Sequence, residues 1–220
     1  PRLARLEREE RVHTAVVLAE VDGRVERHPQ RVSAMVLRGV FTARQSEIDW
    51  LYRGGPASFF PEAWARFEGF IPPSGRSGLL AAYYDLLACG DAAIELAAAR
   101  EWCLWEDTLS TLLPEVPMSD DTALRALARI ETHYLSQGGF LEEGQLIANA
   151  SRLREIPGVI VQGRYDMVTP PVTACELHVA WPGSTLCIVP DAGHASSEPG
   201  IRRELIAATD AFGERLGARR

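Results

Sequence analysis

The chain has 220 residues, with 30 acidic and 23 basic side chains, a formal net charge of -7 and a hydrophobic fraction of 46%. This composition is typical of a folded globular protein, and the acidic balance argues against nucleic acid or an anionic membrane as the main partner. All 23 basic side chains are arginines, so a Schiff-base lysine and a P-loop lysine are excluded. We expect no membrane span, because no apolar run reaches the ~18–20 residues it needs. The four cysteines form no C-x-x-C pair, which favours a reduced, cytoplasmic protein.

Short β-branched and apolar runs near both ends of the chain predict strands at residues 13–18, 34–40, 159–162 and 185–189. Between the second and third strands, Ala, Leu, Glu and Trp recur at helical spacing and predict helices at 61–70, 77–87, 92–105, 122–135 and 142–154. Two more helices are predicted at 172–180 and 201–216, and Asp91 and Asp121 are candidate N-caps. Strands at both ends around a block of helices predict an α/β sheet with a helical insertion.

Polar segments directly follow the last two predicted strands. One contains Asp166 in GRYDMVTP, and the other contains His194 in PDAGH. Neighbouring parallel strands end at the same edge of a sheet, where open α/β folds build their sites. There the aspartate can accept from one ring nitrogen and leave the other free as a general base. Alternatively, Asp166 caps the next helix and His194 lies in a turn, but their order on successive strand ends favours the pair.

A series of motifs in the same order along the chain carries a family resemblance: RHPQRVSAMVLRGVF, DWLYRGGPASFFPEAW, WCLWED, RIETHY, IPGVIVQGRYDMVTP, ELHVAWPGSTLCIVPDAGHASSEPGI and ATDAF. From about Arg27 onwards the sequence resembles the proline iminopeptidases (prolyl aminopeptidases). These are serine hydrolases of the α/β-hydrolase fold with a helical cap. The resemblance implies that Asp166 and His194 match the acid and base of a Ser-His-Asp triad. It also implies peptides with an N-terminal proline as substrates and no cofactor.

The same resemblance implies a substrate-binding set outside the triad. Glu106 in WCLWED and Glu131 in RIETHY match acidic residues that hold the free amino group of the substrate. Fixed negative charge from two partly desolvated carboxylates suits a terminal ammonium. Phe41 and Trp50 match positions that line the cleft for the proline ring, with ordinary core packing as the alternative. The five histidines show no paired ligand spacing, so we expect no metal.

One part of the family pattern is missing from this sequence. No serine lies in a G-x-S-x-G elbow, the turn that exposes a nucleophile, and alignment puts Ala15 at its place. The glycine-rich oxyanion loop is also missing. We therefore expect the C-terminal part of an α/β-hydrolase, truncated and inactive alone. Its expected domains are 1–43, an N-terminal remnant of the core, 44–155, the helical cap, and 156–220, the C-terminal core.

Two other functions remain open beside a truncated prolyl aminopeptidase. One is a non-catalytic protein that binds peptide amino termini through Glu106 and Glu131. The other is a different α/β-hydrolase activity, such as an esterase, for which the paired glutamates would have no purpose. In a partial sheet the strand at 13–18 would be an edge, so we expect self-association through it or poor solubility. A stable monomer in sedimentation would contradict that expectation.

Overall fold

Four parallel strands form the sheet in the described part of the chain, and they are paired in chain order. The structure is a computed structural model that describes residues 12–16, 28–113 and 120–217. The strands are β1 (Val12–Val16), β2 (Ala34–Arg38), β3 (Gly158–Gly163) and β4 (Ser184–Val189). Leu37 of β2 lies opposite Ile160 of β3, which in turn lies opposite Leu186 of β4. The predicted strands are confirmed, except that 17–18 lie outside the described residues and the strand predicted at 34–40 ends at Arg38, before Gly39 with its positive φ.

The chain divides into two units. The sheet unit combines Pro1–Thr42 with Gly144–Arg220, and the helical unit is Ala43–Glu143. The helical unit is thus a continuous insertion between β2 and β3. Self-association through β1, which lies at one end of the strand order, stays a prediction.

Apolar side chains cover both faces of the two central strands, β2 and β3. Because side chains alternate along a strand, Met35 and Leu37 face one layer while Ala34 and Val36 face the other. Helix α7 (Pro171–Ala180) packs in the first layer, and helix α8 (Pro199–Gly217) packs in the second. Burial on both faces explains why these strands read as continuous apolar runs.

Trp181 anchors the layer on the α7 side of the sheet. Its indole is fully buried and donates to the backbone oxygens of Leu153 and Ile156, at 2.9 and 3.1 Å. A Cβ atom on Gly158 would lie 2.0 Å from the Trp181 ring, so the first residue of β3 has no room for a side chain. Glycine there lets the strand and the indole pack in direct contact.

The helical unit is built around stacked aromatic rings. Its helices are α1 (Gln45–Tyr52), α2 (Pro61–Phe70), α3 (Leu79–Leu87), α4 (Ala92–Ser110) and α5 (Asp121–Ser136). The Phe67 ring stacks on Tyr83, with centroids 4.5 Å apart, and on Trp105, at 5.5 Å. Such pairs contribute about 0.5–1.5 kcal/mol each beyond their area burial. Among the described residues, none of the helices combines the length and apolar character needed to cross a membrane.

Several expectations about helix ends are wrong. The helix predicted at 92–105 continues to Ser110 as α4. The helix predicted at 142–154 is instead α6 (Gln145–Asn149), followed by a 3-10 turn at Ala150–Leu153. Gly144 precedes α6 in the left-handed region, at φ 72°, and this backbone conformation prevents an earlier helical start. Asp120, rather than Asp121, is the N-cap of α5, and its side chain accepts from the Ala123 backbone N at 2.7 Å. The predicted cap Asp91 of α4 is confirmed, since it accepts from the backbone N of Ala93 and Ile94.

Candidate active site

The loops after β3 and β4 bring Asp166 and His194 together. His194 Nδ1 lies 2.9 Å from Asp166 Oδ2, and their side chains are 19% and 1% exposed. An ionised carboxylate only accepts hydrogen bonds, so this contact places the proton of a neutral imidazole on Nδ1. The Nε2 lone pair is then free to accept a proton. Helix α7 has Pro170 as its N-cap residue, so the alternative role of Asp166 as the cap of that helix is wrong.

The buried Asp166 carboxylate is held by a set of short hydrogen bonds. Its Oδ1 accepts from the backbone N of Val168 at 3.0 Å and of Thr169 at 2.7 Å. Its Oδ2 accepts from Gln162 Nε2 at 2.9 Å and from the Thr169 hydroxyl at 3.0 Å, in addition to His194. Donors from the backbone and from side chains thus replace the water that a carboxylate loses on burial.

Two close backbone approaches fix the loop that carries His194. Gly39 follows β2 with φ +52°, and a Cβ atom there would lie 2.5 Å from His194 Cε1. Gly163 ends β3, and a Cβ atom there would lie 1.9 Å from the Gly193 carbonyl oxygen. Both glycines therefore leave the space that the imidazole and its loop occupy.

Charged side chains also hold this loop. Arg38 Nη1 donates to the His194 carbonyl oxygen at 2.7 Å, and the Gly193 backbone N donates to Glu198 Oε1 at 3.2 Å. Burial lowers the pKa of Arg38, an effect that the nearby Asp166 charge opposes. The main chain on both sides of the imidazole is thus tied to buried groups, which limits its movement.

Glu106 and Glu131 meet in the helical unit, on α4 and α5. Tyr52 donates its hydroxyl to Glu106 Oε1 at 2.6 Å, and Trp102 Nε1 donates to Glu131 Oε2 at 2.9 Å. The rings of the two donors stack with centroids 4.6 Å apart. We call Tyr52, Trp102, Glu106 and Glu131 the acidic cluster. Both carboxyl groups are half-buried, and each has one oxygen fixed by an aromatic donor.

The neighbourhood of Glu131 affects the protonation of Glu106, while the role of the two glutamates as fixed negative charges stays a prediction. Burial raises the pKa of Glu106 well above its ordinary value, and the charge of Glu131 and a hydrogen bond with it raise that pKa further. The same burial, with the charges of Glu106 and Glu131, raises the pKa of Tyr52, which keeps its hydroxyl a donor. At a pH below the raised pKa of Glu106, its protonated carboxyl group is hydrogen-bonded to Glu131.

Phe41 and Trp50 lie in different units. Phe41 is partly buried and packs against the apolar layer on the α7 side of the sheet. Trp50 is half-buried, and a Cβ atom on Gly55 would lie 2.4 Å from its ring. Core packing thus accounts for part of the burial of each side chain, and the roles of Phe41 and Trp50 in binding a proline ring stay predictions.

Sequence reasoning missed the donors around both sites. Gln162 had a signal, because a polar residue interrupts the buried apolar run of β3. Tyr52 and Trp102 stand inside recognised motifs, but no local pattern marks them as donors, and both are buried. Within the described ranges, no three His, Cys, Asp or Glu side chains lie close enough together to hold a metal ion.

No protein-family model matches the chain, whereas individual relatives match over most of it. It is 45% identical over 190 residues to a probable proline iminopeptidase of Leptolyngbya boryana, covering 84% of this chain and 59% of that protein. It is 44% identical over 190 residues to a proline iminopeptidase of Xylella fastidiosa, covering 84% and 61%. For one of Arabidopsis thaliana the identity is 43% over 196 residues, covering 86% and 52%. The chain therefore spans only a little more than half the length of these curated relatives.

Solved structures match the fold. An alpha/beta hydrolase from a Medee basin deep-sea metagenome library aligns with TM-score 0.53 and 14% identity, covering 97% of this chain and 69% of that one. An esterase from Exiguobacterium antarcticum aligns with TM-score 0.54 and 12% identity, covering 92% and 65%. At these identities the likeness concerns the fold alone. The resemblance read from the motifs is thus confirmed: the chain is a relative of the proline iminopeptidases and has a partial α/β-hydrolase fold with a helical insertion.

Proposed function

We propose that this chain provides the acid, the base and the amine-binding groups of a prolyl aminopeptidase, which releases N-terminal proline from peptides. The observation that carries the proposal is the presence of two arrangements in one chain. These are the Asp166–His194 hydrogen bond and the acidic cluster around Glu106 and Glu131. Ester hydrolysis does not require an ammonium group on the substrate, so the combination favours an aminopeptidase over an esterase.

In this proposal His194 Nε2 is the general base. It takes the proton from a nucleophilic hydroxyl and later gives it to the leaving amine, while Asp166 orients and stabilises the imidazole. The nucleophile is a serine in a G-x-S-x-G elbow, a motif that the present sequence does not contain. The chain therefore accounts for two members of the triad, and the activity is proposed for a protein that also has the third.

The acidic cluster binds the substrate's ammonium in this proposal. Tyr52 and Trp102 each hold one carboxyl oxygen, and the other oxygen of each glutamate can accept from the ammonium. A positive charge beside Glu106 favours its ionised form, so ammonium binding opposes the upward shift of its pKa. The finished complex pairs the ammonium with two carboxylates in a partly desolvated site.

Binding to the acidic cluster is testable without turnover. We expect L-prolinamide to bind the chain and N-acetyl-L-prolinamide, which has no ammonium, not to bind in calorimetry. Glu131→Gln should weaken prolinamide binding by roughly 10- to 100-fold, because a hydrogen bond between charged groups contributes about 1.5–3 kcal/mol. The exposed Glu62→Gln is the matched control and should bind like the parent. Equal binding of the two amides would disprove the amine-binding role.

The chemistry requires a nucleophile, so we test it in a chimera. Residues 28–217 of this chain replace the matching segment of the Xylella fastidiosa proline iminopeptidase. His194→Ala should lower kcat for proline p-nitroanilide by about 10⁶-fold, as expected for loss of the triad base. His133→Ala changes an exposed histidine and should leave kcat unchanged. Turnover that survives His194→Ala would rule out the proposed base.

A non-catalytic protein that binds peptide amino termini is the second candidate. It rests on the acidic cluster, whose two carboxyl groups could bind an amino terminus without any nucleophile. It predicts that the chain binds prolinamide through the acidic cluster while the chimera, although folded, does not hydrolyse proline p-nitroanilide. Turnover by the chimera that depends on both His194 and Glu131 would decide for the aminopeptidase.

A further inference from the structure

Gln162 lies where the fold would otherwise have an apolar side chain. It is fully buried in β3, and strand alternation places it on the same face as Ile160, in the layer packed by α7. Burying an amide in such a layer is unfavourable unless its hydrogen bonds are made. Gln162 therefore needs an explanation that packing alone does not provide.

The hydrogen bonds of Gln162 fix which way its amide points. Its Nε2 lies 2.9 Å from Asp166 Oδ2 and 3.0 Å from the Thr169 carbonyl oxygen. Both of these atoms are acceptors, so the nitrogen of the amide must face them and not the oxygen. Its Oε1 is buried and has no hydrogen-bond partner among the described residues. The amide is thus satisfied on the side that faces Asp166 and unsatisfied on the other, and an apolar side chain would avoid that unsatisfied acceptor.

Because Thr169 lies beside both side chains, the position of the Asp166 carboxylate decides which nitrogen of His194 carries the proton. The Thr169 hydroxyl lies 3.0 Å from Asp166 Oδ2 and 3.2 Å from His194 Nδ1, so it can donate to either atom. If it donates to Nδ1, the imidazole proton must sit on Nε2, and the ring then has no free lone pair there. The proton stays on Nδ1 only while Asp166 Oδ2 is held in place as its acceptor.

We propose that Gln162 is a positioning residue for the Asp166–His194 pair: its side-chain amide holds Asp166 Oδ2 toward His194 Nδ1 and so keeps the His194 Nε2 lone pair free. The proposal rests on the proposed function only for the catalytic use of the pair. The tautomer of His194 itself is measurable without any reaction. Thr169 is then a donor to Asp166 and not to the imidazole.

The test is the ¹⁵N spectrum of histidine-labelled chain, with His194 assigned by its loss in His194→Ala. We expect the parent to show His194 protonated on Nδ1 when neutral. Gln162→Met keeps the size of the side chain, removes its donor and removes the unsatisfied oxygen. This variant should remain folded, and the fraction of neutral His194 protonated on Nε2 should rise by at least several-fold. Thr209→Val removes another buried hydroxyl of the sheet unit and should leave the His194 spectrum unchanged.

The opposite results would overturn the proposal. A folded Gln162→Met chain with the parent's His194 spectrum would show that Gln162 does not position the pair. If that variant does not fold, the hydrogen-exchange rate of the Gln162 side-chain amide in the parent chain tests the proposal instead. The Gln162 amide should exchange at least 10-fold more slowly than those of Gln30 and Gln137, which are exposed, and equal rates would reject its hydrogen bond to Asp166. A changed tautomer together with an inactive chimera would instead count against the proposed function alone.

Discussion

Gly39 leaves the space that the imidazole of His194, the candidate base, occupies, so a side chain at residue 39 would displace that base. Gly39→Ala should place a methyl group within 2.5 Å of the imidazole and force it to move. We expect kcat of the chimera to fall by roughly 100-fold, the effect of a displacement of about 1 Å, while left-handed strain lowers stability by about 1–2 kcal/mol. Kinetics and thermal unfolding measure the two effects separately.

Gly144→Ala is the matched control for that substitution. Gly144 also has a positive φ, +72°, but a Cβ atom there would meet nothing within 4 Å. It should therefore reproduce the loss of stability and keep kcat at the parent value. Equal losses of kcat in both variants would show that strain, and not contact with His194, is responsible.

The acidic cluster should make stability depend on pH through Glu106. Because burial beside Glu131 raises the folded-state pKa of Glu106, the folded chain binds this proton more tightly than the unfolded chain. Its contribution to stability is complete below the ordinary glutamate pKa of about 4.3 and is lost as pH rises through the raised pKa. Glu106→Gln, which cannot ionise, should lose less stability than the parent over the pH range above about 4. Thermal unfolding over this range measures it. Parallel curves for the parent, Glu106→Gln and the exposed control Glu62→Gln would contradict this assignment.

At the scale of elements, the N-cap of helix α4 matters for the acidic cluster, since this helix carries both Trp102 and Glu106. Asp91 Oδ1 accepts from the backbone N of Ala93 at 2.9 Å and of Ile94 at 3.2 Å. Asp91→Ala should lower the free energy of unfolding by about 1 kcal/mol, whereas Asp91→Asn should retain most of it. Denaturant unfolding measures both variants. Equal destabilisation by alanine and asparagine would show that the hydrogen bonds to the first turn are not the cause.

The strands and longer helices were predictable because their patterns are local. Alternation and helical spacing need only the sequence, so 61–70 matches α2, and 185–189 differs from β4 by one residue. Helix α6 was not predictable in this way, because the left-handed Gly144 overrides an otherwise helical composition. The choice of Asp120 over Asp121 as a cap also depends on backbone geometry, which two adjacent aspartates do not reveal.

At the scale of the whole molecule, strand order explains how much of the candidate site the sequence predicts. Asp166 and His194 follow neighbouring parallel strands, so their meeting follows from topology. Gln162 and Arg38 reach the pair from within β3 and β2, and only coordinates show that their side chains turn toward it. The raised pKa of Glu106 depends on the approach of a second helix, which spacing along the chain does not contain.

The insertion of the helical unit also delays the synthesis of β3 relative to its neighbour β2. β2 ends at Arg38 and its partner β3 begins at Gly158, so about 120 residues are synthesised between them. At about 5–20 residues per second, roughly 6–24 s pass between the synthesis of β2 and that of β3, its second neighbour in the sheet. The helical unit has its contacts within that continuous stretch and can fold meanwhile. During this interval the edge of β2 that will pair with β3 has no strand beside it.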